Sequence, residues 1–245
     1  MMRFIEKLRE LSAGKPVGFK LCVGHPREFM SLVKAMLETG TTPDFIVVDG
    51  SEGGTGAAPL EFVDHVGMPL RDGLSFVHNT LVGAGIRDRV RIGASGKIIT
   101  GFDMVRAIAL GADFCNAARG FMFAVGCIQA QACHTGKCPV GVTSQDPSRQ
   151  RAIVVADKSV RVANFHAATI EAMADLIAAA GLDTPSRLGP RHIYRRVSQQ
   201  EYITYADLYP CLQPGELLAG CSNQRYAEPW RTALAESFHS SAAAE

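Results

Sequence analysis

Four short apolar runs, each leading into a loop and then a stretch of helical spacing, constrain the fold of this chain more than any other feature. They are PVGFKLCV (16–23), FIVVDG (45–50), RVRIGAS (89–95) and FCNAARGFMF (114–123). Strands that are apolar almost throughout are buried on both sides, either beneath helices on both faces of a sheet or in the wall of a barrel. Between the first two runs, Phe29, Val33, Met36 and Leu37 fall on one face of a helix, with Pro26 suited to its first turn and Gly40 to its end. A second helix is expected near Leu74 to Leu81. A third follows Gly96 and Lys97, with Thr100 as its cap and Asp103 at the third helical position of a capping box. Strand, loop and helix repeated in this way predict βαβ units and a parallel sheet.

Glycines gather just after three of the four strands, in SEGGTG (51–56), GASGK (93–97) and ARG (118–120). Any one of these loops is explained by a tight turn. All three, however, fall at the same end of parallel strands, where ligands sit in α/β proteins and where barrels bind phosphate. GxxxxGK followed by Ser or Thr is absent, which argues against a nucleoside triphosphatase, and GxGxxG is absent, which weakens a dinucleotide fold.

The remainder has a different character. Asp157 to Ala180 reads as one Ala-rich helix stopped by Gly181. Beyond it, TPSRLGPRHIYRRV (184–197) and a Pro-containing tail suggest short helices and loops, and SSAAAE (240–245) a frayed end. The simplest division is a βα body over 1–145 and a C-terminal helical extension over 146–245 packed on it.

With 245 residues, a formal charge of +1 and 47% hydrophobic residues, the chain has enough apolar surface for a substantial core. Its basic residues are scattered, so no nucleic-acid face is expected. MMRFIEKLREL is charged and amphipathic, unlike a signal peptide or membrane anchor, and a cytoplasmic location is the expectation. Seven cysteines in a reducing compartment are free thiols or metal ligands rather than a disulfide framework. Cys22, Cys115, Cys211 and Cys221 stand alone. Cys127, Cys133 and Cys138 are crowded into CIQAQACHTGKCP, and thiolates favour zinc, copper(I) or iron–sulfur centres. Structural zinc takes four protein ligands, and His134 beside Cys133 is awkwardly placed to be the fourth. Three unligated thiols are the plain alternative.

GFKLCVG, DGSEGGTGAAP, ASGKIITGFDMVRAIALGAD and GCIQAQACHTGKCPVGV, in this order over roughly 15–145, resemble the FMN-binding synthase domain of glutamate synthase, above all its short single-domain relatives. VADKSVRVANFHAATIEAMADL is similar to those short relatives as well. The resemblance implies a (β/α)8 barrel holding FMN, with a three-iron, four-sulfur (3Fe–4S) cluster on Cys127, Cys133 and Cys138. It implies that Lys20 lies against the flavin ring as a catalytic and cofactor-binding residue. Gly53 and Gly54 fall in the loop near the ring and the 2-oxo acid, beside Glu52. Ser95, Gly96 and Lys97 match the phosphate loop, and Ala118 with Arg119 completes the cradle.

The activity so implied is reduction of the imine of 2-oxoglutarate to glutamate, with nitrogen from ammonia or glutamine. Electrons would come from a donor protein or reductase subunit, since no pyridine-nucleotide motif is present. Two departures qualify the resemblance. Lys97 and Glu52 stand where the large enzymes carry other residues, which leaves another FMN-dependent oxidoreductase open. Only four βα units precede the cysteine loop and they match the second half of the barrel, so the expectation is a half barrel with open edges and an uncovered apolar interior. Such a chain would be a fragment, an inactive remnant, or a half completed by another polypeptide or by a second copy. Glutaminase activity is not expected, because the chain starts MMRF rather than with a cysteine nucleophile.

Overall fold

A computed structural model of the chain describes residues 1–53 and 61–239. Its centre is a four-stranded parallel sheet of β1 (Gly18–Cys22), β2 (Phe45–Asp49), β3 (Arg91–Ser95) and β4 (Phe114–Asn116), hydrogen-bonded in chain order. Helices α1 (Met2–Leu11), α2 (Pro26–Thr39), α3 (Leu70–Gly83) and α4 (Gly101–Ala109) precede and connect these strands. Sequential order with parallel pairing and right-handed crossovers puts the connecting helices on one face of the sheet, as in a barrel wall and unlike a doubly wound sheet. The fold is α/β, and the sheet has the order of four consecutive strands of a (β/α)8 barrel.

The helix signals act as their chemistry requires. In α2 the side chains of Phe29, Met30, Val33 and Met36 are buried, and the chain leaves through Gly40 at φ +67°. Each such side chain contributes about 1.5–3 kcal/mol on full burial. Thr100 and Asp103 form the expected reciprocal capping box on α4. His25 caps α2 by accepting from the Arg27 amide, a role the sequence did not single out.

The pleat sorts the strand residues onto two unlike faces. Ile46, Val48, Ile92 and Ala94 lie wholly within the helix-covered core. The opposite face is built of rows in register: Gly18 beside Phe45, then Lys20, Val47, Gly93 and Phe114, then Cys22, Asp49, Ser95 and Asn116. This face is mixed in character, with Phe45, Val47 and a 37% exposed Phe114 as its apolar part. Its end row is polar, and aromatic rings lie over its glycines: a Cβ on Gly18 would fall 2.6 Å from the Phe45 ring, and one on Gly93 2.5 Å from the Phe114 ring.

The fourth strand is shorter than expected. Strand pairing stops at Asn116, and Arg119–Val125 forms α5, closed by Gly126 at φ +117°. The aromatic run that suggests a longer strand serves a helix contact instead. Phe121 meets Phe165 edge-on at 5.2 Å, and Gly120 lets the Phe165 ring approach within 2.8 Å of where a Cβ would sit. Docking outweighs local strand preference here. Phe165 belongs to α7 (Val155–Ala179), the predicted Ala-rich helix, which follows the single-turn α6 (Pro147–Gln150) and lies against α4 and α5.

After α7 the structure has a feature the sequence did not announce, an antiparallel pair of β5 (Tyr194–Arg196) and β6 (Tyr202–Thr204). Three short helices follow: α8 (Tyr205–Leu208), α9 (Glu216–Ala219) and α10 (Gln224–Thr232). They return to the core of the βα body. Tyr226 stacks on Phe76 at 5.5 Å, the Leu212 amide donates to Asn79 Oδ1 at 2.9 Å, and Lys34 Nζ donates to the Ala233 carbonyl at 2.8 Å.

Candidate functional site

The carboxyl ends of β1 and β2 open on a cavity of about 460 Å³ lined by Lys20, Cys22, Asp49, Ser51, Phe62 and Val66, among others. Parallel register puts Cys22, Asp49 and Ser95 side by side at this end. The Gly50 amide donates to the Ser95 carbonyl at 2.9 Å and the Met68 amide to the Val23 carbonyl at 2.8 Å, which fix the loops to the strand ends.

Lys20, expected against the ring of a flavin, projects into this region and is paired with Asp49, Nζ to Oδ2 at 2.5 Å. Asp49 is the more enclosed partner, with side-chain exposure of 15% against 56% for Lys20. Its second oxygen, Oδ1, is buried and accepts no hydrogen bond among the described residues. A buried carboxylate oxygen without a donor is costly, and such atoms mark places where a ligand supplies the missing partner. Gly53 closes over the same atom: a Cβ there would lie 2.3 Å from Asp49 Oδ1. Gly54 lies outside the described residues.

Glu52 has a structural task. Both of its carboxylate oxygens accept from the Leu70 amide, at 3.1 and 2.9 Å, so it caps α3, whose preceding Pro69 supplies no side-chain cap. A negative charge at a helix N-terminus is favourable there. Cys22 at the cavity wall keeps its proton: burial, then the charges of Asp49 and Glu52, push its thiol up.

The expected phosphate loop follows β3. Gly96 has φ +136°, and a Cβ on it would meet the Gly50 amide nitrogen at 3.2 Å, so two strand-end loops touch through bare backbone. Lys97 is in the left-handed region at φ +48°, and its Nζ is 2.7 Å from Asp64 Oδ1. Arg119 opens α5 after Ala118, and its charge reaches the same carboxylate. The Lys97 hydrogen bond, opposed by slight burial and joined by the charges of Lys97, Arg119 and His65, holds Asp64 below the usual carboxylate range. Ser95, Gly96, Lys97 and Arg119 are therefore gathered at one end of β3 and β4, with Asp64 as a member no local pattern announced. Asp49, at the end of an apolar strand, carried such a signal.

The cysteine loop is assembled differently from the expectation. Among the described residues no group of three or more His, Cys, Asp or Glu side chains is placed to hold a metal ion, and Cys127, Cys133 and Cys138 are free thiols. The reason lies in the chain between them. Residues 136–150 are tied down by Ser144 Oγ donating to the Gly136 carbonyl at 2.6 Å and Gln150 Nε2 to the Ser144 carbonyl at 2.8 Å. The link from Cys127 to Cys133 runs instead through exposed Ile128, with Gln129 and Gln131 at φ +56° and +53°. Free thiols have no mutual attraction to close that link. Cys138 sits in a thiolate-favouring cradle: burial raises its pKa, but the Thr143 amide, the Val140 amide, the Thr143 hydroxyl and the Val142 amide bring it below the ordinary value. As placed, the three cysteines do not fit a three-iron cluster.

A model of the conserved region in glutamate synthase matches residues 1–183, most of the 245-residue chain. The chain belongs to the glutamate synthase family. The glutamate synthase large subunit-like protein YerD of Bacillus subtilis is 45% identical over 208 residues, covering 85% of this family member and 39% of that protein. The archaeal-type glutamate synthase (NADPH) of Thermotoga neapolitana is 34% identical over 189 residues, covering 77% of the chain and 36% of its own length. This glutamate synthase-family chain thus spans well under half the length of these curated relatives. Among solved structures, a variant of flavocytochrome b2 with pyruvate bound aligns over 76% of the chain and 36% of its own, at 15% identity and a TM-score of 0.46.

Proposed function

We propose that the chain is the flavin-holding part of a glutamate synthase-type oxidoreductase that reduces the imine of 2-oxoglutarate to glutamate. The observation that carries this reading is the Lys20–Asp49 pair at the strand-end cavity, with Asp49 Oδ1 buried and without a hydrogen-bond partner among the described residues. The cavity volume lies within the roughly 300–1,000 Å³ of small-molecule sites. These residues fit FMN. Lys20 and Asp49 would face its ring system, and Ser95, Gly96, Lys97, Ala118 and Arg119 its phosphate.

Bound there, FMN supplies hydride chemistry that no side chain can. The chain's own contribution is electrostatic and positional. Lys20, fixed by Asp49, presents a cation where negative charge develops, already oriented before reaction. Asp49 holds Lys20 through one carboxylate oxygen, and its other oxygen lies buried beneath Gly53. Phe62 and Val66 form an apolar wall of the same cavity. The nitrogen, from ammonia or from glutamine, and the electrons, from a donor protein or reductase subunit, come from partners. The division into a barrel part over 1–145 and an extension over 146–245, and a cytoplasmic location, belong to the same proposal. No helix among the described residues is long and apolar enough to cross a membrane.

The test is a fluorescence titration of FMN into the purified chain, followed by single-turnover reoxidation of the reduced complex with 2-oxoglutarate plus ammonia or glutamine. Glutamate formation by the wild type, and its loss in Lys20→Met with FMN binding kept, are the expected results. Flavin bound without any reoxidation by 2-oxoglutarate and either nitrogen source would transfer the site to another flavin-dependent oxidation.

A further inference from the structure

The Lys97–Asp64 contact has no part in the reading above, yet it occupies the cationic centre of that site. Asp64 is 33 residues before Lys97 in the chain, and its carboxylate reaches Lys97 Nζ at 2.7 Å. Both residues hold left-handed backbone conformations, φ +67° and +48°. Aspartate tolerates this region better than most residues, whereas for a lysine it is uncommon and tertiary contacts sustain it. For Asp64 one such contact is its amide, which donates to the Ser51 carbonyl at 3.0 Å and fastens this segment to the end of β2. The neighbours of Asp64 on either side, Phe62, Val63 and Val66, line the strand-end cavity.

We propose that Asp64 is an internal anion seated in the phosphate subsite, which FMN must displace from Lys97 and from the field of Arg119 in order to bind. The inference rests on the phosphate-cradle reading. Its physical basis is a contest between two anions for one set of cations. Asp64 and Lys97 are 47% and 39% exposed, so their pair is a solvent-screened one that contributes little. A phosphate monoester carries nearly twice the charge and three acceptor oxygens, and charge-assisted contacts to Lys and Arg are correspondingly stronger. The dianion therefore displaces the carboxylate. In its absence Asp64 neutralises the cluster and holds Phe62, Val63 and Val66 against the cavity. Flavin arrival then releases one wall of the site it enters, so occupation of the phosphate subsite and the position of that wall are coupled.

Riboflavin, which lacks the phosphate, separates the terms of the contest. FMN and riboflavin are titrated by fluorescence quenching into the wild type, Asp64→Asn and Lys97→Ala, with folding of each checked by circular dichroism. The internal-anion reading expects Asp64→Asn to bind FMN roughly two- to five-fold tighter than the wild type, the span of one exposed ion pair, with riboflavin affinity unmoved. It expects Lys97→Ala to weaken FMN alone. Unchanged or weaker FMN binding by Asp64→Asn, alongside weakening in Lys97→Ala, overturns the internal anion and leaves the cradle standing. FMN and riboflavin binding equally in all three proteins, or no FMN binding in any, overturns both.

Discussion

Arg87 ties the β3–β4 unit together, and the histidine beside it makes the whole fold sensitive to acid. The guanidinium donates from Nε to His78 Nδ1 at 3.0 Å, from Nη1 to the Val90 carbonyl at 2.8 Å, and from Nη2 to the Gly111 carbonyl and Asp113 Oδ2, both at 2.8 Å. Asp113 in turn accepts from the Ile92 amide at 2.7 Å. His78 accepts at Nδ1, so it is neutral with its proton on Nε2. Burial first, and the Arg87 charge second, push its pKa from 6.5 down to about 4, against a smaller upward pull from Asp113.

The unfolded chain therefore binds a proton at His78 below pH 6.5, whereas the folded chain resists until about pH 4. Protonation favours the unfolded state, so stability from this group is complete above pH 6.5 and is lost as pH falls toward 4. The full span is about 3 kcal/mol, at a slope of up to about 1.4 kcal/mol per pH unit. Urea unfolding of the wild type and His78→Gln at pH 7, 6, 5 and 4 measures it. Glutamine keeps an acceptor for Arg87 and cannot titrate. The two proteins share every other titrating group, so the difference between their pH profiles isolates His78. The variant's profile should be flatter between pH 6.5 and about 4 by most of that span. Parallel profiles would refute the assignment of the acid sensitivity to this histidine.

Two further outcomes follow from single contacts. Glu52→Ala should cost about 0.5–2 kcal/mol in urea unfolding by uncapping α3, with Glu52→Gln recovering much of it because the amide oxygen still accepts from Leu70; equal loss in both would point to charge alone. Gly93→Ala should cost about 1–3 kcal/mol by driving a methyl into the Phe114 ring, and a Phe114→Ala background should relieve most of that cost, whereas additive losses would show that the two do not share the space.

Much of the chain's local architecture is written in neighbouring residues. The apolar runs, the Thr100 and Asp103 capping box, the α2 face of Phe29, Val33 and Met36, and the glycine stops at Gly40 and Gly181 depend on contacts within a turn or two, so period and cap chemistry determine them. The ordered motifs likewise mark the family, the strand that carries Lys20, and the end of β3 where Ser95, Gly96 and Lys97 are found. What tertiary structure alone decided involves partners distant in the chain. Residues 119–125 became a helix because Phe121 and Gly120 meet Phe165, more than forty positions away. Glu52 was drawn to the Leu70 amide of α3, and Lys97 to Asp64 across the sheet end. Spacing puts three cysteines near one another in sequence, but side chains converge only where something holds them together, and thiols in a partly exposed loop lack that attraction.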